Sequence, residues 1–296
     1  MTETQLQRIA VVTPSFARDY HLCRELNRSV LRFWPEDTKH YLVVDRQDLA
    51  LFRPLAGPRT VVVAVEEVVP SGYFKVPGSK KWWLSTAALY PAKGWLIQQL
   101  VKLSMPHFVE EEVLVNVDSD VRFVRPVDPS IFAREGKTRL YRLPRGITPG
   151  MTHVKWHYNV CKALGVAPDP LPMDDYVNNV ISWDKRIAVA ACARIERVTG
   201  VSWHVALTRM RLVSEYLTYG LYVDKVIGHD AAQVWIEDRT WCHTYWGPGP
   251  LSAADVKKFV DRMPPEDVAF SIAGYTGTDP IVTGEATRLV LSQVGI

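Results

Sequence analysis

Two aspartates, Asp118 and Asp120, flank Ser119 inside the apolar run VLVNVDSDVRFV, residues 113–124. The run reads as a buried strand interrupted by carboxylates. Charged groups there are costly unless they are paired or metal-bound. The carboxyl edge of an α/β sheet, where ligands bind, lets such acids reach solvent and a cation. Two carboxylates one residue apart suit a hard divalent ion, Mg²⁺ or Mn²⁺, held directly or through water.

The elements that must position them follow from hydrophobic patterning. RIAVVT (8–13), YLVVD (41–45) and TVVVAV (60–65) are short apolar runs rich in β-branched residues, the mark of buried strands. Between the first two, Leu22, Leu26, Val30 and Phe33 recur at helical spacing within 19–33. GWLIQQLVKLSM (94–105) reads as an amphipathic helix ended by Pro106. This alternation predicts an α/β fold with a mostly parallel central sheet flanked by helices. Further on, TRLYRL (138–143) and NNVISW (178–183) read as strands, and 153–165, 185–198 and 214–223 as helices. The segment 70–93, rich in Gly, Pro and Lys, reads as a long irregular loop.

The strand–DxD–strand unit about a hundred residues after the N-terminal VVTPS strand resembles a GT-A glycosyltransferase that uses a nucleotide-sugar donor. More narrowly, GWLIQQLVKL, VNVDSDV, NNVISW, SEYLTYG and CHTYW together resemble a little-characterised family of bacterial GT-A-like proteins. The resemblance runs from about residue 8 to about residue 246. It implies a single GT-A-like domain over 1–296, with a nucleotide-binding half at about 8–125 and an acceptor-side half at about 126–250. Residues 251–296 are then a C-terminal extension. It also implies a hexosyltransferase-type enzyme that moves a sugar from a nucleotide-sugar donor, UDP by superfamily frequency, to a small-molecule or glycan acceptor.

Roles for single residues follow from that resemblance. Thr13, Pro14, Ser15 and, more loosely, Asp45 are expected at the nucleotide. Asp118 and Asp120 are expected to hold Mn²⁺ or Mg²⁺, with Ser119 beside the donor and His243 as third ligand. The ordinary alternative for His243 is a histidine bonded within an aromatic core. Lys102, Lys80 and Lys81 can share the growing diphosphate charge, or be solvated surface lysines. Gln98 and Gln99 either bond sugar hydroxyls or face solvent. Glu215 follows a plausible N-cap, Ser214, so the helix dipole alone accounts for a carboxylate there. Its functional role is that of a general base toward the acceptor hydroxyl. Asp174 and Asp175 are a second acidic site, with Asp175 the preferred acceptor contact; otherwise they cap a turn.

Composition excludes several other classes. With 35 basic and 32 acidic residues spread along 296, the charge balance does not argue for a nucleic-acid coat or a membrane-surface stripe. Its four cysteines form no CxxC pair, which disfavours a zinc module or a disulfide framework. No apolar stretch approaches a transmembrane span, and the opening MTETQLQRIAVV lacks the pattern of a signal peptide. A cytoplasmic protein is therefore expected. Ten tryptophans are many for this length, and several sit beside polar residues. Two competing functions are a nucleotidyltransferase, disfavoured by the glycine-free TPSFARD after the first strand, and a non-catalytic nucleotide- or carbohydrate-binding protein on the same scaffold.

Overall fold

The apolar runs pair as their patterning demands. In the computed structural model, which describes residues 7–79, 82–293 and 295, four of them form parallel strands. These are β1 (Ile9–Ser15), β2 (Lys39–Val44), β3 (Thr60–Ala64) and β7 (Val113–Val117). A fifth, β13 (Val180–Asp184), closes one edge antiparallel to β7, giving the order β13-β7-β1-β2-β3. Successive side chains of a strand point to opposite faces, and β1 is buried on both. Ala10 and Val12 join one apolar cluster, whereas Ile9 and Val11 join another.

The helices, numbered along the chain, are α1 (Tyr20–Phe33), α2 (Leu49–Phe52), α3 (Val65–Val68), α4 (Gly94–Phe108), α5 (His153–Leu164), α6 (Lys185–Thr199), α7 (Trp203–Met210), α8 (Glu215–Tyr222), α9 (His229–Ala232), α10 (Val256–Asp261) and α11 (Pro280–Gln293). The Ala10 face packs on α4 through α8, including Leu100, Val160, Ile195 and Leu217. The Ile9 face packs on α1 through Leu26, Val30 and Phe33. Within α8, Gly220 is required by packing, because a Cβ there would lie 2.1 Å from the ring of Tyr176. Among the described residues no helix is long and apolar enough to cross a membrane.

Three expectations need correction. Residues 70–93 are no irregular loop: β4 (Tyr73–Lys75), β5 (Trp82–Ser85) and β6 (Tyr90–Lys93) form an antiparallel sheet that buries Tyr73 and Trp83. Lys80 and Lys81 lie outside the described residues. The run 113–124 is two strands, not one. The chain turns at Asp118–Asp120, and β8 (Val121–Phe123) joins a separate sheet with β15 (Cys242–Tyr245) and β16 (Ala269–Ile272). Finally, α4 continues past Pro106 to Phe108. The remaining strands are β9 (Ala133–Arg134) and β10 (Lys137–Tyr141) with β14 (Val234–Glu237), and the pair β11 (Leu143–Ile147) and β12 (Met173–Asp175).

Between α1 and the sheet lies a polar network with no access to water. Asn27 Nδ2 donates to His40 Nδ1 (3.1 Å), so His40 Nε2 carries the proton and donates to Thr13 Oγ1 (3.0 Å). Burial pushes the His40 imidazole down to about 3, so it stays neutral while the unfolded histidine titrates near its ordinary value. Below that value the unfolded state binds the proton and the native state does not, so stability falls as pH falls. Between about pH 6.5 and 3 this one residue contributes a slope of up to ~1.4 kcal/mol per pH unit. Denaturant titrations across that window should therefore show a steeper acid loss for wild type than for His40→Gln. Equal slopes would contradict the buried neutral histidine.

Candidate active site

A cleft of about 1330 Å³ opens over the carboxyl ends of β1 and β7. Its floor is the turn after β7, closed by Val121 N–H donating to the Asp118 carbonyl (3.1 Å). The turn presents Asp118, Ser119 and Asp120 to the cleft. One wall comes from α4, α5 and α8. The other comes from the loop after β1, from α1 and from the C-terminal segment around Gly274 and α11.

One buried cation ties the floor to the first wall. Residues seven apart on a helix share a face, so α4 presents Trp95, Gln98, Gln99 and Lys102 to the cleft. Lys102 Nζ donates to Asp118 Oδ1 (3.0 Å) and to the Tyr216 hydroxyl (2.8 Å), and lies 3.0 Å from Glu215 Oε1. Its side chain is 6% exposed and that of Glu215 is 2% exposed. Burial opposes the ammonium charge, but Asp118, Tyr216 and Glu215 outweigh it and hold Lys102 well above its ordinary value. Burial raises the Glu215 carboxyl, against the pull of Lys102.

Asp120 is held from the other side. Its Oδ1 accepts from Ser271 Oγ (3.1 Å) and its Oδ2 from Gly274 N–H (2.8 Å), both in the C-terminal segment. Burial, and then the charge of Asp118, push its carboxyl up to about 6. The Arg122 guanidinium, brought down to about 10 by burial, lies close enough to offset part of that charge.

The donor set fits a hard divalent ion in an open site. Asp118 is 43% exposed, and its second oxygen has no partner among the described residues. The Asp120 oxygens each keep a further lone pair. Mg²⁺ is commonly held by one or two carboxylates, with substrate phosphates and water filling the rest. A cation there would also relieve the repulsion that raises Asp120. Among the described residues no group of three His, Cys, Asp or Glu side chains forms a protein cage.

The remaining expected residues divide. Pro14, Ser119, Gln98, Gln99 and Lys102 all line the cleft. Gln99 Oε1 accepts from Glu215 N–H (3.2 Å), so that oxygen is not free for a sugar. Glu215 lines the cleft but is committed to Lys102 and is no open base. Thr13 belongs to the His40 network and Ser15 is buried, so neither reaches the cleft. Asp45 is turned to an ion pair with Lys75. Asp175 lies behind the first wall, bonded to His153 (2.8 Å), and Asp174 accepts from Arg145 N–H (2.9 Å). His243 is no third metal ligand. Strand alternation turns it away from the acids, its ring stacks on Phe259 and its Nε2 donates to the Phe259 carbonyl (3.0 Å).

Sequence reasoning missed Tyr216, Ser271 and Gly274, and did not single out the tryptophans of the cleft, Trp95, Trp156 and Trp246. Only the high tryptophan count, with several beside polar residues, pointed toward the last group.

The family model described as "Family of unknown function (DUF6492)" matches residues 7–258. The chain belongs to that family. The match takes in β1, the acidic turn, Lys102 and Glu215, and stops before the segment that holds Asp120. No curated protein matches the chain. Among solved structures, mouse xyloside xylosyltransferase 1 in its apo form is similar at 12% identity, with a TM-score of 0.48. That likeness covers 91% of this chain and 99% of the mouse chain.

Removing one partner of a buried ion pair leaves the other charge uncompensated, at a cost of about 3–5 kcal/mol. Lys102→Met should therefore lower unfolding free energy by about that amount, read by denaturant titration. The double variant Lys102→Met/Glu215→Leu should regain more than half of the loss. A single variant as stable as wild type would contradict the burial of charge at this point.

Proposed function

We propose that this protein is a GT-A-type glycosyltransferase that moves a sugar from a nucleotide-sugar donor, a UDP-sugar first, to a hydroxyl acceptor. The observation that carries the reading is the pair Asp118 and Asp120, presented by a turn at the carboxyl end of a central strand in the floor of the cleft. Ligands of open α/β sheets bind at that edge. The sequence resemblance to GT-A enzymes supports the same assignment.

Asp118 and Asp120 would hold Mg²⁺ or Mn²⁺. That ion would supply positive charge to the diphosphate as the sugar–oxygen bond breaks. Lys102 fixes Asp118 and keeps Glu215 in place, while Ser271 and Gly274 fix Asp120. Arg18, Arg24 and Arg28 on the second wall, with Arg24 and Arg28 sharing the one carboxylate of Glu25, leave an excess of positive charge where an anionic donor would lie.

Neither carboxylate expected as a base is placed for that work, since Glu215 is paired with Lys102 and Asp175 is outside the cleft. In our reading the bond from the anomeric carbon to the diphosphate breaks, the acceptor oxygen bonds to that carbon, and its proton passes to a departing diphosphate oxygen. That course leaves the acceptor on the face the diphosphate vacates and retains configuration.

Donor hydrolysis, with water as acceptor, tests the reading without a known acceptor. Wild type should release sugar from at least one UDP-sugar in Mn²⁺, and EDTA should abolish the reaction. Loss of a ligand worth several kcal/mol of transition-state stabilisation should make Asp120→Ala slower by about 10²-fold or more, with the fold intact by circular dichroism. Activity within a few-fold of wild type, together with indifference to EDTA, would contradict the role of the acids.

A further inference from the structure

The two walls of the cleft differ in charge. The wall made by the loop after β1 and by α1 carries Arg18, Arg24, Arg28 and Arg32, against Asp19 and Glu25. Beyond Lys102, which is committed to Asp118 and Glu215, the opposite wall is neutral and aromatic. There Trp95 stacks on Trp156 with ring centres 5.2 Å apart and planes at 26°, and Trp156 stacks on His153 at 4.4 Å and 21°. His153 Nδ1 meets Asp175 Oδ2 at 2.8 Å, and Asp175 Oδ1 accepts from Val177 N–H (3.1 Å). The stack is therefore anchored from behind by a carboxylate held in turn by backbone.

Its cleft end is open. Trp95 is 38% exposed, and beside it the Gln98 amide has no partner among the described residues. At 1.5 Å rise per residue, Trp95 lies about 10 Å along α4 from Lys102, and so close to the acids. A structural core has no need of three stacked rings ending at solvent beside an unbonded amide. An indole face meets an apolar ring face, and a neighbouring amide meets hydroxyls at its edge.

We propose that Trp95, backed by Trp156, forms an acceptor subsite for an uncharged pyranoside, whose C–H face stacks on the free face of the Trp95 indole while its hydroxyls reach Gln98. His153 and Asp175 are positioning residues that hold Trp156. This rests on the glycosyltransferase reading and assigns the acceptor's class within it. The division of charge places the anionic donor on the arginine side and the neutral sugar on the tryptophan side.

Saturation-transfer NMR on the full chain tests this with methyl glycosides of glucose, galactose, xylose and mannose, each with and without saturating UDP and Mn²⁺. At least one glycoside should receive saturation at its ring protons, and UDP should not displace it. Trp95→Ala, a change at a half-exposed position, should weaken its binding about tenfold. Asp175→Asn should weaken it several-fold, with Asp175→Glu restoring part, which a residue serving stability alone would not show at unchanged melting temperature. The subsite is overturned if UDP binds but no glycoside does, if the signal survives Trp95→Ala, or if UDP competes with the glycoside. The last result would make the tryptophans a nucleobase platform. Failure of UDP itself to bind would instead overturn the reading of the preceding subsection, and this one with it.

Discussion

The Lys102 ammonium is the point on which the site depends. Two elements far apart in sequence meet it on α4: the turn after β7, through a hydrogen bond to Asp118, and the start of α8, through a hydrogen bond to Tyr216 and an ion pair with Glu215. A lone ammonium or carboxylate could not be buried there, because taking a single charge out of water costs several kcal/mol. The buried Lys102 and Glu215 charges are tolerable only in each other's presence, whereas Asp118 keeps its contact with water. That mutual requirement fixes the height of α4 against the sheet edge, and with it the positions of Gln98 and Trp95 further along the same face.

The second acid is fixed by a different device. Asp120 takes its hydrogen bonds from Ser271 and Gly274, more than 150 residues away in sequence. Residues 251–296 therefore do more than extend the fold. Strand β16 pairs with β8 directly after the acidic turn, and the loop that follows delivers the Gly274 amide. The two aspartates are thus held from opposite walls, one by a charge and one by neutral donors. Their different surroundings leave Asp118 open on one oxygen and Asp120 with a raised carboxyl.

Much of the frame was legible in the sequence because its signals are local. Apolar β-branched runs marked all five central strands, although the run holding β7 extends through the acidic turn into β8, and Ser214 does cap α8 by accepting from Leu217 N–H (3.4 Å). The acidic turn was legible because carboxylates in an apolar run need an explanation. What was not legible depends on direction and on distant partners. Thr13 and Ser15 sit in the expected strand, but its side chains alternate, and theirs point into protein instead of the cleft. The same alternation turned His243 onto Phe259. Residues 70–93 carry Gly and Pro at their turns, and the three short strands between gave no clean two-residue period. The stack of Trp95, Trp156 and His153 joins two helices, and the i,i+3 spacing that brings His153 to Trp156 on α5 says nothing of Trp95 on α4.

A nucleotide-sugar donor is proposed to bind at the acidic turn after β7. A crystal structure with UDP and Mn²⁺ tests it most directly. The diphosphate should lie above Asp118 and Asp120, with Mn²⁺ held by the two carboxylates and the nucleoside toward α1. A nucleotide bound elsewhere on the protein, with Asp120 still bonded only to Ser271 and Gly274, would contradict it.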